Sequence, residues 1–334
     1  MNPQVAIIIL NWNGWQDTIE CLESLYQNNY ENFQVFLVDN ASTDDSQENI
    51  RNYLKGKLEI HSEYFKYRKE NKPIQFTEIT YDENHDIKIR TEADLIIIKN
   101  PQNQGFARGN NTGIRAALKI ADPEYVLLLN NDTVVSPDFL IELVKTAESD
   151  HKIGFTGPKT YLYDDKDVIQ AAGGGSIDFL RGESHELAFM EKDTGKYDED
   201  QEIEYVGGSC LFVKREVLEE VGLLDEEYFM YWEDVDWCFN GRETGYKSFY
   251  SNKSKIWHKY GTSSQDHFKT YYHNRNRLYF MRKHAPRKYY RKFILYYIKE
   301  VLKESIYQLI YQRNWHMFRS LVKGTIDGFK LKTS

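Results

Sequence analysis

Along the first half of the chain, short apolar runs alternate with stretches whose apolar residues recur every three or four positions. VAIIIL (5–10), FQVFLV (33–38), DLIIIK (94–99) and YVLLL (125–129) have the length and branching of buried strands. Between them, Trp15, Ile19, Leu22 and Leu25 fall at helical spacing. TDDSQENIRNYL reads as a capped helix with acids in its first turn, and GIRAALKI completes another. SPDFLIELVKTAE predicts a further helix with Ser136 as N-cap and Pro137 as its first residue. Such alternation predicts an α/β fold: an open, mostly parallel sheet flanked by helices.

Residues 56–92 interrupt the pattern. They are polar, charged and rich in Tyr, longer than an ordinary connection, and read as a small surface insertion. From 151 the chain loosens into Gly-rich strands and loops (QAAGGGSID, EYVGGSCLFV), a helix (KREVLEEVG) and then MYWEDVDWCFNGRETG. After 266 it turns basic, aromatic and helical. The expected division is therefore a domain over 1–265 and a helical extension over 266–334.

Charge sharpens that division. The net charge of −8 conceals 16 Lys/Arg against 3 Asp/Glu in 267–334, or +13, and −21 in the remainder. Basic helices with interleaved aromatics fit peripheral contact with an anionic membrane; they fit equally a helical cap with a solvated face. The acidic remainder argues against a nucleic-acid partner. Cys21, Cys210 and Cys238 are widely spaced and form no CxxC, which points to a reducing compartment. No apolar run approaches the ~18–20 residues needed to span a bilayer. The start of the chain lacks the basic, apolar and small-residue pattern of a signal peptide. A cytoplasmic protein, peripheral on the inner membrane face, is the expectation.

Ligands of open α/β sheets bind beyond the carboxyl ends of the strands. Those ends carry Asn11, Asp39, Asn103 with Gly105, and Asn131 with Asp132. Singly, each reads more as a turn or cap residue than as a ligand; in register on one rim they point to a polar ligand. In QNQGFARGNNTG the glycines allow close backbone approach, and Asn103 and Asn110 offer donors, but the spacing is not that of a phosphate loop. In YWEDVDWCFNG, three acids stand between two Trp side chains at a helix start, where desolvation raises a carboxyl's pKa.

ILNWNG, LVDNASTD, NQGFARGNN, LLLNNDTVV, GGSCLFVKREV and YFMYWEDVDWCFNGRETGYK, in that order, resemble the inverting family 2 glycosyltransferases of GT-A fold, rhamnosyltransferase-type members above all. The resemblance covers roughly 5–55 and 94–262. It implies a Rossmann-like GT-A sheet and inverting transfer of a sugar, rhamnose by preference, from a nucleotide-diphosphate sugar. The acceptor would be a glycan or lipid-linked glycan in cell-surface polysaccharide synthesis. It implies Asp234, or next Glu233, as catalytic base, and donor contacts from Asn11, Asp39, Asn103, Gly105, Asn110, Asn131 and Gly208. It also implies a divalent metal, Mn2+ or Mg2+, at Asp132 and His258.

One departure stands out. Where the family has Asp-x-Asp, this chain has Asn130, Asn131 and Asp132, so one acid remains. A hard cation takes about six oxygen-type ligands, so diphosphate, water and His258 would complete the set. The departure keeps open a non-catalytic sugar-nucleotide or membrane-binding homologue. A glycosidase using Glu233 and Asp236 would leave the strand-end residues without a role. Arg275 and Arg277 are further candidates to reach a diphosphate.

Overall fold

The computed structural model describes residues 2–80, 91, 93–261 and 266–332. The apolar runs form β1 (Val5–Asn11), β2 (Phe33–Asp39), β4 (Leu95–Lys99) and β5 (Tyr125–Asn130), all mutually parallel. β3 (Phe76–Thr80) adds a parallel edge beside β4. The helices between them are α1 (Trp15–Leu25), α2 (Ser46–Leu54), α3 (Gly105–Ile120) and α4 (Phe139–Glu148). Alternation along β1 divides the interior: Ala6 and Ile8 enter the core that includes α3, Val5, Ile7 and Ile9 the core under α1, α2 and α4.

Beyond β5 come β6 (Thr133–Val135), β7 (Ile153–Leu162), β8 (Val168–Ala172), β9 (Gly174–Asp178), β10 (Glu183–Glu186), β11 (Glu191–Lys192), β12 (Gln201–Ile203), β13 (Tyr205–Val206) and β14 (Cys210–Lys214). α5 (Arg215–Glu220), α6 (Glu233–Glu243) and β15 (Lys247–His258) follow. The main sheet runs β11-β8-β7-β14-β5-β1-β2-β4-β3, with β9, β10 and β13 in a small second sheet. This is the mixed α/β, mostly parallel GT-A arrangement that the resemblance implies.

Two local expectations change. α4 begins at Phe139, not at Pro137, because Ser136 donates its N–H to the Lys255 carbonyl and stays extended beside β15. The described part of 56–92 is more than a surface insertion. It supplies β3 and buried Ile74, and its Lys72 meets Glu23 at 2.8 Å with both side chains buried. Residues 81–90 and 92 lie outside the described set.

The C-terminal helices are α7 (Asp266–His284), α8 (Arg287–Ile306) and α9 (Trp315–Lys330). Leu278, Tyr279, Phe280 and Met281 of α7 are buried in the same core as Trp232 and Phe239. α9 lies so close on α7 that a Cβ at Gly324 would stand 2.5 Å from the Tyr271 carbonyl oxygen. No described helix is long and apolar enough to cross a membrane.

Candidate active site

Because β1, β2, β4 and β5 are parallel, their carboxyl ends share one edge, and register sets Asn11 opposite Asp39 and Leu10 opposite Asn130. Asn11 Nδ2 donates to Asp39 Oδ1 at 3.2 Å, and Gln47 Nε2 donates to Asp39 Oδ2 at 2.8 Å. Both residues are buried, and neither lines the cavity of about 440 Å³ above the rim. Its polar wall is Asn40, Asn103, Asn130, Asn131 and Asp132, closed by Trp12, Phe106, Phe229 and Phe268.

Asn40, which sequence reasoning passed over, organises the wall. Its Nδ2 donates to Asn103 Oδ1 and the Gly105 carbonyl, and its Oδ1 accepts from Gln104 N–H and Asn100 Nδ2. Its position one residue past Asp39, in LVDN, was the available signal. Gly105 must be glycine: its φ is +75°, and a Cβ would stand 2.6 Å from the Phe229 ring and carbonyl. Asn110 faces elsewhere, its amide donating to the Phe106 carbonyl one turn back in α3. Asn131 borders the cavity while its Nδ2 donates to Thr18 Oγ1 and the Gly14 carbonyl.

β6 runs antiparallel to β15 with His258 opposite Thr133, and Lys259 N–H bonds the Asp132 carbonyl at 3.0 Å. That pairing brings His258 Nε2 to 3.2 Å from Asp132 Oδ1. On the other side of the ring, Nδ1 lies 2.9 Å from Gln170 Oε1. An amide oxygen only accepts, so Nδ1 carries the proton, and in the neutral ring Nε2 presents a lone pair. Asp132 Oδ1 is buried and makes no hydrogen bond. Two acceptors side by side, one otherwise unsatisfied, suit a cation. Among the described residues, no group of three or more His, Cys, Asp or Glu that could hold a metal includes them.

A second cavity of about 310 Å³ shares Phe106, Asn130 and Met230 with the first, and has His258 in its wall. Its far side carries Glu186, Tyr205, Gly208, Trp232, Glu233 and Asp234. Asp234 Oδ2 accepts from Gly208 N–H at 2.7 Å and Oδ1 from Val235 N–H at 2.9 Å. The Gly208 amide is thereby committed to the carboxylate rather than to a donor. Burial raises the Asp234 pKa, against the pull of those amides. Glu233 is almost wholly buried with Oε2 unpartnered; burial, then the charge of Asp234, pushes it well above the usual carboxylate range. Both line the cavity, and of the two Asp234 has the donors to hold a negative charge.

Glu186 is the acid that sequence reasoning missed. Burial, then the charge of Asp234, raises its pKa to about 7. Nothing in ESHE marks it; the β9–β10 hairpin carries it to the cavity. His273 of α7 also lines this wall, and burial followed by the Arg277 charge lowers it to about 4.

The segment before α6 is strained: Phe229, Tyr231 and Trp232 have φ of 62°, 68° and 78°. Asn276 of α7 holds it there, donating from Nδ2 to the carbonyls of Tyr228, Met230 and Tyr231, each at 2.8 Å. Asp236 is fully buried and meets His284 Nε2 at 2.7 Å, Lys283 Nζ at 2.8 Å and the Tyr228 hydroxyl at 2.9 Å. Burial opposes ionisation of Asp236, but the His284 bond and Lys283 charge hold its pKa down. It is a tether, which removes the Glu233–Asp236 glycosidase pair. The two arginines are also engaged away from the cavities. Arg275 donates to the Glu227 and Tyr228 carbonyls, and Arg277 pairs with Glu300.

Fold and site together define an α/β enzyme with a polar strand-end cavity opening onto a carboxylate-bearing one. Similar solved structures have this fold. The mannosyltransferase PcManGT from Pyrobaculum calidifontis, in complex with GDP-Man and Mn2+, matches over 98% of this chain and 88% of its own, at 15% identity and TM-score 0.56. TarS 1–349 of S. aureus matches over 97% and 80%, at 12% identity and TM-score 0.54. GalNAc-T7 with UDP, GalNAc and Mn2+ matches over 91% and 57%, at 14% identity and TM-score 0.56. No curated protein sequence matches this chain. The family model described as glycosyltransferase like family 2 matches residues 87–280, and that of glycosyl transferase family 2 matches 6–73. The chain belongs to glycosyltransferase family 2 and is a glycosyltransferase.

Proposed function

We propose that this enzyme transfers a sugar, with inversion, from a nucleotide-diphosphate sugar to a glycan or lipid-linked acceptor in cell-surface polysaccharide synthesis. The reading rests on one observation: a polar strand-end cavity and a carboxylate-lined cavity meet at Asn130, beside Asp132 and His258. The nucleotide would occupy the first, against Asn40, Asn103 and Gly105, and the acceptor hydroxyl would reach the second. Asp234 would take that hydroxyl's proton as its oxygen attacks opposite the diphosphate. Glu233, whose pKa burial raises, is the reserve assignment. Asn11 and Asp39 would act from behind the wall, through Ser42 and Gln47.

Asp132 and His258 would hold a divalent ion, Mn2+ or Mg2+, with Gln170 fixing the imidazole. The ion supplies electrostatic stabilisation of the departing diphosphate. The complexes of the mannosyltransferase PcManGT with GDP-Man and Mn2+ and of GalNAc-T7 with UDP, GalNAc and Mn2+ support this reading of donor and metal. Rhamnose as the donor sugar rests on sequence resemblance. Transfer to a lipid-linked acceptor fits a cytoplasmic enzyme held on the inner membrane face by 267–334.

A panel of nucleotide sugars in thermal-shift assays, with and without Mn2+, tests the proposal. Stabilisation by one donor, strengthened by metal, is expected; indifference to every nucleotide sinks it. Asn130 in place of an acid favours a second reading, a sugar-nucleotide-binding homologue without turnover. Tight donor binding with no transfer or donor hydrolysis would establish that reading.

A further inference from the structure

The outer face of α8 has the opposite character from a solvated helix surface. Leu295, Ile298, Leu302 and Ile306 recur at helical spacing and are all exposed, Leu295 by 74% and Leu302 by 59%. The opposite stripe, with Phe293 and Tyr297, is already buried against the protein. The outward apolar row is therefore surplus to folding. It continues past the helix into Ile310, Tyr311 and Trp315, exposed by 65%, 74% and 57%.

The charges on that face are of one sign. Lys288, Arg291, Lys292, Lys299 and Lys303 flank the apolar row, all exposed. Between 287 and 332 the only acids are Glu300, Glu304 and Asp327. Each is engaged within the protein: Glu300 by Arg277, Glu304 by Gln308 and Asp327 by the Tyr271 hydroxyl. A protein partner of ordinary surface would meet this row with mixed charge. A bilayer of anionic lipid offers what the face lacks, negative headgroups above hydrocarbon, with Tyr and Trp suited to the boundary. At about 1.5 Å per residue the 20-residue helix is about 30 Å long, but it is too charged to insert.

We propose that α8 and the turn after it dock flat on an anionic membrane, aliphatic side chains in the headgroup–acyl boundary and lysines against lipid phosphates. This deepens the membrane-held reading of the enzyme but is tested without donor or turnover, so it stands or falls separately. The full chain is sedimented with phosphatidylcholine vesicles, with and without about one-third phosphatidylglycerol. Binding at least about tenfold tighter to the anionic vesicles, weakened by salt, is expected. Leu302→Glu with Ile306→Glu should lower it by tenfold or more. Lys299→Glu with Lys303→Glu should remove the anionic preference, while circular dichroism of both variants stays unchanged. Equal affinity for neutral vesicles, or binding that neither pair alters, overturns the proposal. So does a concentration-dependent dimer abolished by Leu302→Glu, which would assign the face to a second copy of the chain.

Discussion

The strand-end rim and the segment that carries the acids before α6 place their side chains by different means. On the rim, parallel register alone carries Asn11, Asp39 and Asn130 to one edge, and the β6–β15 ladder sets Asp132 against His258. At 229–236 the backbone takes positive φ at Phe229, Tyr231 and Trp232 and is held by contacts from α7, more than forty residues away in sequence. A rim residue can thus be removed with local consequences. The acid-bearing segment depends on a helix that composition alone marks as a separate basic tail.

The largest effect is expected at Asp234. Asp234→Asn can keep only one of the Gly208 and Val235 N–H bonds, because its amide has a single acceptor oxygen, and it removes the proton acceptor. It should cut kcat by about 10³-fold while donor affinity stays within about twofold. Near-full activity would move the base to Glu233 or Glu186. Asn276→Ala follows. It withdraws one donor group from three carbonyls and frees the strained segment, so kcat should fall by about 10²-fold with donor Kd unchanged. If donor binding and kcat fall together instead, α7 merely stabilises the whole molecule, and the contrast between the two regions fails.

This contrast also marks what could be read from the sequence. The four apolar runs are strands and parallel, because period and length are properties of the local chain. The pairing of Asp132, in the turn after β5, with His258, at the end of β15, was legible through the family resemblance. Asn40 was readable in principle, lying next to Asp39. Glu186 and Asn276 were not. One reaches the site through a hairpin and the other across a helix interface, and neither position carries a local pattern. Ser136 misled for a related reason, since a good capping residue was claimed by a strand contact to Lys255. Asn110 has the right chemistry and faces its own helix.

On the rim, Asp132→Ala tests the local end of the comparison. It leaves His258 with Gln170 alone and should weaken donor binding about tenfold in the presence of Mn2+, by calorimetry. Without metal, the affinities of variant and native protein should converge. Thermal stability should change little, because the carboxylate oxygen that is lost has no hydrogen bond to leave behind. A similar loss of affinity with and without metal would separate Asp132 from any cation.

The smallest effect is expected from Glu186→Gln, and its signature is a pH dependence. Burial and the neighbouring Asp234 raise Glu186 to about 7, whereas an unfolded chain holds a glutamate near 4.3. The folded protein therefore binds the proton more tightly, and this group's contribution to stability declines as pH rises from about 4 through about 7. Glutamine imitates the protonated form, so the variant should match the native protein near pH 4 and gain in relative stability up to about pH 7, then level. Because Glu186 gains part of its raised value from an Asp234 that ionises first, the acid limb of the kcat/KM profile should stay in place, with only a few-fold change in the plateau. A stability difference constant with pH would mean that Glu186 is not held protonated beside Asp234. The carboxylate cavity would then be a collection of separate acids, like the rim, rather than a coupled site.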